Sequence, residues 1–407
     1  MKIAILHEML IKLWGAEKVV ESLMHIFPDA DIFTLMYDEQ QVGKIFPKNK
    51  IHSSCFHIPS QRLYWLTKKQ RLSLPLMARS IEKLDFKAYD VVIVSSSGFA
   101  HGLKTQKNTK TIIYYHAPAR YLWDWTHEYR KEIGMNAWIK WFLFGKLLLQ
   151  LRAWDNRAAQ NNDILLANSA TTQKRIWKYF RRESDILYPP IETQRFAKNI
   201  SHRDKEIILW QIFEKLSESE WNRSWVFWKD FQKIISQKNY YIILSALTEF
   251  KRLDVAINNF KHLPETNLVI IWKGEYKEHL EKLAGASKNI FFVGAQFWDD
   301  LVTLVQNSQW LIFPGEEDFG IVPIEIMAAG KPVFALKKWG LTETVLEWET
   351  WDFFYESEWS DFIHQFKAFH AHNIEWKYTA EKCKKRAKQY DESLFQKRIL
   401  DYVQDSQ

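Results

Sequence analysis

Short runs of apolar, largely β-branched residues recur along the chain, each followed by a segment with helical spacing. The predicted strands are Lys2–Leu6, Asp31–Leu35, Asp90–Ser95, Thr111–His116, Asp163–Asn168 and Asp185–Tyr188. After a gap come Tyr240–Ser245, Leu268–Ile271, Ile290–Val293, Leu311–Pro314 and Pro332–Leu336. Between them, Ala16–Ile26 places Val19, Val20, Leu23 and Ile26 on one face, and Thr171–Phe180 reads as a second helix. Strands that are apolar nearly throughout need cover on both faces, which helices flanking a parallel sheet supply. The pattern occurs twice, in 1–188 and in 240–355. It predicts an α/β protein of two doubly wound, Rossmann-like domains facing a cleft. The expected divisions are an N-terminal domain, 1–188; a hinge and insertion, 189–239; a C-terminal domain, 240–374; and C-terminal helices, 375–407, returning toward the N-terminal domain. The hinge opens on Pro189-Pro190, and no fold is assigned to the polar stretch from about Asn199 to Lys238.

Composition narrows the class. Two cysteines, Cys55 and Cys383, are too few for a disulfide framework or a Cys-rich zinc site, so a reducing, cytoplasmic setting is expected. The four-residue apolar run before His7 and Glu8 is too short for a signal peptide. The stretch Trp138–Leu151 is broken by Lys140 and Lys146 and does not read as a bilayer span. A net charge of +7 suits an anionic partner, and from charge alone nucleic acid, a membrane surface and phosphate-bearing small molecules all stay open. The histidines show neither H-x3-H nor HExxH spacing, and Ser95-Ser96-Ser97-Gly98 lacks the nucleophile-elbow pattern.

The stretch Phe313–Pro332, FPGEEDFGIVPIEIMAAGKP, carries the clearest chemistry. It leaves a strand end, turns through Gly315 and Gly320, and enters a helix near Pro323, where a proline is tolerated. Such a turn aims unpaired backbone N–H groups at one point, which suits phosphate oxygens. Glu317 and Glu325 lie eight positions apart. They either grip two parts of one ligand or are a surface glutamate and a helix-dipole glutamate, and spacing alone leaves both readings open.

These residues resemble the E-x7-E motif of retaining glycosyltransferases of the GT-B fold, family 4, and more closely the bacterial mannosyltransferase-like branch. The resemblance extends over KIAILHEML…GAEKVVE, Tyr115–Asp124 (YHAPARYLWD), Asp163–Ser169 (DILLANS), Tyr188–Ile191 (YPPI) and Lys251–Asp254 (KRLD), and leaves out 199–238. It implies that Glu317 contacts the donor sugar, Glu325 the donor ribose, and that the N–H groups of Phe319, Gly320, Ile321 and Val322 hold the diphosphate. Lys251, with Arg252 beside it, would neutralise the departing diphosphate. Ala246 stands where the family has an arginine. His116 would point at the donor sugar, Trp14-Gly15 would form the first donor loop, and Arg120 and Tyr121 match an RY pair that either contacts substrate or braces its domain. His7 and Glu8 are acceptor-side candidates; Trp123 and Asp124 read as structural. No metal or other cofactor is implied. The implied donor is a nucleotide sugar, GDP-mannose before UDP- or ADP-glucose. The implied acceptor is a glycan or polyprenyl-linked glycan, with peripheral membrane association and no nucleic acid. A non-catalytic carbohydrate-binding protein, or a phosphorylase or epimerase of the same fold, are the rival classes.

One count is out of line: Trp is 20 and Gly 13 of 407 residues, an excess of about 15 and a deficit of about 15 against ordinary usage. Trp14, Trp272, Trp339, Trp348 and Trp351 stand where the family has turn glycines. A residue bearing Cβ is penalised at such turns. The expectation is that the gene reads UGA as glycine and that about 15 tryptophans are glycines. The alternative is a Trp-rich protein that stacks on sugars.

Overall fold

In the computed structural model the described residues are 1–13, 15–53, 74–124, 138–219, 225–347, 350–355, 362–368 and 379–404. The chain forms two compact units. Residues 1–190 together with 392–407 make the first, and 191–391 the second.

The first unit holds a parallel sheet of seven strands in the order β3-β2-β1-β4-β5-β6-β7. These are β1 Ile3–Leu10, β2 Asp31–Tyr37, β3 Ile51–Ser53, β4 Val91–Ser96, β5 Lys110–Tyr115, β6 Ile164–Ala167 and β7 Asp185–Ile186. Successive side chains face opposite sides, and both sides are apolar. Ala4, Leu6, Val92, Val94, Ile113 and Tyr115 join one buried cluster. Ile5, Val91, Ile93, Ile112 and Tyr114 join another, with Val19, Val20 and Leu23 of the helix Gly15–Ile26. The last helix, Glu392–Gln404, covers that second face with Phe395, Ile399 and Val403.

The second unit has a parallel sheet of order β10-β9-β8-β11-β12-β13: β8 Tyr241–Leu244, β9 Leu268–Ile271, β10 Ile290–Phe292, β11 Leu311–Phe313, β12 Val333–Leu336 and β13 Trp351–Phe354. The stretch 199–238 contains two helices, His202–Ser219 and Trp225–Ser236, which bury Ile212, Phe231 and Ile235 within this unit. Among the described residues no helix is long and apolar enough to cross a membrane.

The eleven predicted strands correspond to strands of the two sheets. Two short strands, β3 and β13, were not expected, and β1 runs on to Leu10 rather than stopping at Leu6 because it stays paired to β2 as far as Leu10↔Tyr37. In each sheet the order reverses once, between β1 and β4 and between β8 and β11. Loops leaving the carboxyl ends of strands at such a point splay apart and leave room for a ligand.

Candidate functional site

In the second unit, the loops after β8 and β11 meet. Gly315 sits so close to the first that a Cβ on it would lie 2.8 Å from the Lys251 carbonyl oxygen, so only glycine lets the two turns touch. The contact brings the Lys251 ammonium onto the Glu317 carboxylate as an ion pair, with the lysine side chain 13% and the glutamate 28% exposed. A third turn closes the group. Gly340 donates its N–H to the Glu317 carbonyl oxygen at 3.0 Å, and a Cβ there would fall 2.0 Å from the Asp318 carbonyl oxygen.

From this turn the chain enters the helix Ile321–Ala328 through Gly320, whose φ of 90° is a left-handed value that favours glycine. Phe319 anchors the turn, buried with its ring 5.7 Å from that of Tyr390. Ile321 and Val322 open the helix, where N–H groups lack intrahelical acceptors. Pro323 follows within the first turn. Glu325 is buried inside the helix rather than displayed at its start. Arg252 turns aside: at φ 52° it reaches Asp254, with 3.2 Å between Nε and Oδ1. Ala246, where the resemblance implies an arginine, brings no charge to these loops. The arrangement combines a paired lysine, a partly exposed carboxylate and a helix start, which together can take a diphosphate and the hydroxyls attached to it.

In the first unit, His7 on β1 and Ser95 on β4 are register partners beside the reversal. His7 Nδ1 lies 3.0 Å from both the carbonyl and the hydroxyl oxygen of Ser95, and its Nε2 faces Glu17 Oε1 at 3.8 Å. Burial opposes a proton on His7, yet the carboxylates of Glu17 and Glu8 and the Ser95 carbonyl outweigh it and hold the pKa above the ordinary value. Ser95 Oγ is in turn 2.8 Å from Nε2 of His116, which follows the end of β5. Burial, and then the neighbouring His7, push the His116 pKa down to about 3, so this imidazole is neutral at any physiological pH.

Glu8 has a different task from the acceptor contact expected of it. Its Oε1 accepts from the N–H groups of Gly98 (2.8 Å), Ala100 (2.9 Å) and Ser97 (3.0 Å) and from the Ser96 hydroxyl. The carboxylate thus holds the 96–100 turn. Tyr121 packs on the same turn, its ring 5.9 Å from Phe99, while Arg120 starts a short helix, Arg120–Trp123. Trp123 donates from Nε1 to Asp155 Oδ2 at 2.7 Å and stacks on Tyr179, and Asp124 pairs with Arg175 at 2.8 Å. Gly15 begins the first helix; Trp14 lies outside the described residues. Sequence reasoning passed over Glu17. Its one visible signal was an acidic residue in the first turn of a helix that follows a strand.

Two of the tryptophans at expected turn-glycine positions have positive φ, whereas a third, Trp351, does not: it opens strand β13, paired with Val333, rather than lying in a turn. Trp272 has φ 132° and Trp339 φ 57°, and Trp298, the first residue of the helix Trp298–Asn307, has φ 52°. By contrast Arg181, with φ 53°, is the left-handed cap of a helix. Trp348 lies outside the described residues.

The two parallel Rossmann-like sheets match the fold of solved GT-B glycosyltransferases. Residues 226–390 match the family described as glycosyl transferases group 1. Along 221 residues the chain is 26% identical to the alpha-1,3/1,6-mannosyltransferase ALG2 of Candida glabrata, covering 47% of this chain and 46% of that one. It is 35% identical over 111 residues to the lipopolysaccharide 1,2-N-acetylglucosaminetransferase of Salmonella typhimurium, 26% of this chain and 29% of that one. The chain thus spans about half or less of these curated relatives. HepE of Anabaena, solved in complex with UDP and glucose, shares the fold at 15% identity, with a TM-score of 0.68 over 99% of each chain.

Proposed function

We propose that the protein is a retaining, metal-independent glycosyltransferase that moves a hexose from a nucleotide sugar to a glycan or lipid-linked glycan. The observation that carries this reading is the Lys251–Glu317 pair, held by Gly315 and Gly340 at the mouth of the helix Ile321–Ala328. Lys251 leaves Glu317 for the donor diphosphate and stabilises the negative charge that develops as the sugar departs. The helix start at 319–322 shares that charge, and Glu317, released, meets the sugar hydroxyls. Buried Glu325 receives the ribose. In the first unit His116, neutral at working pH, can offer a hydrogen bond to a sugar hydroxyl and cannot protonate it. Mannose from GDP-mannose is favoured by the mannosyltransferase relatives; glucose from UDP-glucose is the second reading, favoured by the contents of the HepE complex. We infer a cytoplasmic enzyme that would meet a lipid-linked acceptor at the inner membrane face. The test is transfer of radiolabelled hexose from each donor to a lipid-linked glycan. Transfer that falls at least about a hundredfold in Glu317→Ala supports the reading; transfer indifferent to Glu317 points to a carbohydrate-binding protein without catalysis.

We further propose that the tryptophans at positions 14, 272, 298, 339, 348 and 351 are glycines in the native protein, encoded by UGA. The positive φ angles at 272, 298 and 339 support this, because an indole-bearing residue adopts them at a cost of about 1–2 kcal/mol at 298 and 339 and about 1–3 kcal/mol at 272. So does the contrast with Trp123, whose N–H and ring are both engaged. UGG codons at these positions would sink the idea.

A further inference from the structure

A line of polar groups crosses the first unit from helix to strand end: buried Glu17, His7 and Ser95, then part-exposed His116. Glu17 and His7 are both buried, and the two imidazole rings stand edge to face, their centroids 6.5 Å apart. Ser95 is wholly buried and, among the described residues, is the group that bridges them, with one hydroxyl proton to give. At the far end His116 Nδ1 has no hydrogen-bond partner among the described residues, although its Nε2 does.

The proton count fixes the direction of the line. With His7 charged, both of its nitrogens are donors: Nε2–H toward Glu17 and Nδ1–H toward Ser95. The Ser95 hydroxyl then has no acceptor on His7 and donates to His116 Nε2. Neutral His116 must therefore carry its proton on Nδ1, where it is a donor. When His7 loses a proton, Nδ1 beside the neutral Ser95 carbonyl gives it up and Nε2 keeps its own, because the charged Glu17 carboxylate stabilises a proton on His7 more than that carbonyl does; Nδ1 is then the nitrogen that becomes an acceptor. The Ser95 hydroxyl turns to it, Ser95 Oγ accepts from His116 Nε2–H, and His116 Nδ1 becomes an acceptor. His7 releases one proton to solvent, and His116 exchanges one between its two nitrogens with no net change. The charged and polar groups facing His7 are Glu17 from the helix, Glu8 from its own strand, Ser95 from β4 and His116 from the end of β5.

We propose that Glu17, His7 and Ser95 are positioning residues that decide which ring nitrogen of His116 carries the proton, and hence whether its open edge offers a sugar hydroxyl a donor or an acceptor. The network itself is independent of the proposed reaction; its use on a sugar hydroxyl rests on that reading. Raising the pKa of His7 keeps the donor form populated into the neutral range.

Side-chain nitrogen NMR on the full chain, with histidine labelled at both ring nitrogens and the His116 signals assigned by His116→Gln, tests this without any assay of transfer. While His7 is charged, His116 is expected in the Nδ1–H form, and the Nε2–H form grows in step with deprotonation of His7. In Ser95→Ala the His116 tautomer no longer follows His7. A His116 that is Nε2–H while His7 is charged overturns the proposal, as does one that tracks His7 unchanged in Ser95→Ala. In transfer assays His7→Gln is expected to lower kcat about tenfold, the worth of one hydrogen bond, with KM within about twofold. A rise in KM at unchanged kcat contradicts the positioning role. If the NMR coupling holds but no nucleotide sugar is turned over, the network stands and the glycosyltransferase reading falls.

Discussion

Replacing Trp272, Trp298 and Trp339 together by glycine separates two accounts of the tryptophans. At Trp298 the backbone has φ 52° and the side chain is 73% exposed, so little packing is lost. Relief of the left-handed conformation returns about 1–2 kcal/mol, against about 0.5–1 kcal/mol for the greater freedom of glycine in the unfolded chain. Trp339, at φ 57°, has the same balance minus the contacts of a half-buried ring. Trp272, at φ 132°, lies outside the ordinary left-handed well and returns more, about 1–3 kcal/mol. It forfeits an edge contact with Phe297 at 5.5 Å. The triple variant is therefore expected to gain about 2 kcal/mol. In a unit of this size that raises the melting midpoint by about 4–8 °C. The control is Trp123→Gly, which removes the bond to Asp155 and the stack on Tyr179 and is expected to cost the first unit about 3–5 kcal/mol. Differential scanning calorimetry reads both. A triple variant that melts lower than the parent refutes the reasoning, because it would mean the indoles are packed residues of a native Trp-rich surface.

Four other outcomes follow from the geometry. Gly340→Ala forces a Cβ to 2.0 Å from the Asp318 carbonyl oxygen, so it should displace the 317–319 turn and destabilise the second unit by about 1–3 kcal/mol by urea titration. Phe395→Ala, near the end of the chain, should cost about 3–5 kcal/mol and melt the first unit while sparing the second, because its ring belongs to the first unit's core. His116 has a folded pKa of about 3, below its unfolded value near 6.5, so its contribution is intact above the unfolded value and is lost as pH falls. At pH 5 the loss is about 2 kcal/mol, and His116→Gln should abolish it in denaturation curves. His7 has the opposite sign: its folded pKa is raised, so its contribution is full below about pH 6.5 and is lost as pH rises through the folded value, a slope that His7→Gln should remove.

Strand–helix alternation was legible because parallel strands buried on both faces are apolar throughout, as Val91–Val94 and Leu268–Ile271 are. Strands at the sheet margins were not. Ile51–Ser53 is three residues long beside three lysines within seven positions, and Trp351–Phe354 begins on a residue out of place in the pattern. The helices within 199–238 do show apolar spacing, with Ile208, Ile212 and Phe231 among charges, but nothing local says which surface they cover. The turn at Gly315–Gly320 was visible from its glycines. Its partner turns, at Lys251 and Gly340, are joined to it only by tertiary approach. The same holds for Glu17 and His7, ten positions apart in sequence and brought together by the β1 strand and the helix that packs on it. The role of Glu8 was hidden for that reason too: its four hydrogen-bond donors lie 88 to 92 residues away.

The proposed function rests on the binding of a nucleotide sugar by the loops around Lys251 and Glu317. Isothermal titration calorimetry tests it on the full chain with glycine at positions 14, 272, 298, 339, 348 and 351, against GDP-mannose, UDP-glucose and ADP-glucose. One of these donors is expected to bind at one site per chain, and Lys251→Ala to weaken it at least about tenfold through loss of a charge-assisted contact to phosphate. Absence of binding by all three, or binding that Lys251→Ala leaves unchanged, would contradict the proposed function.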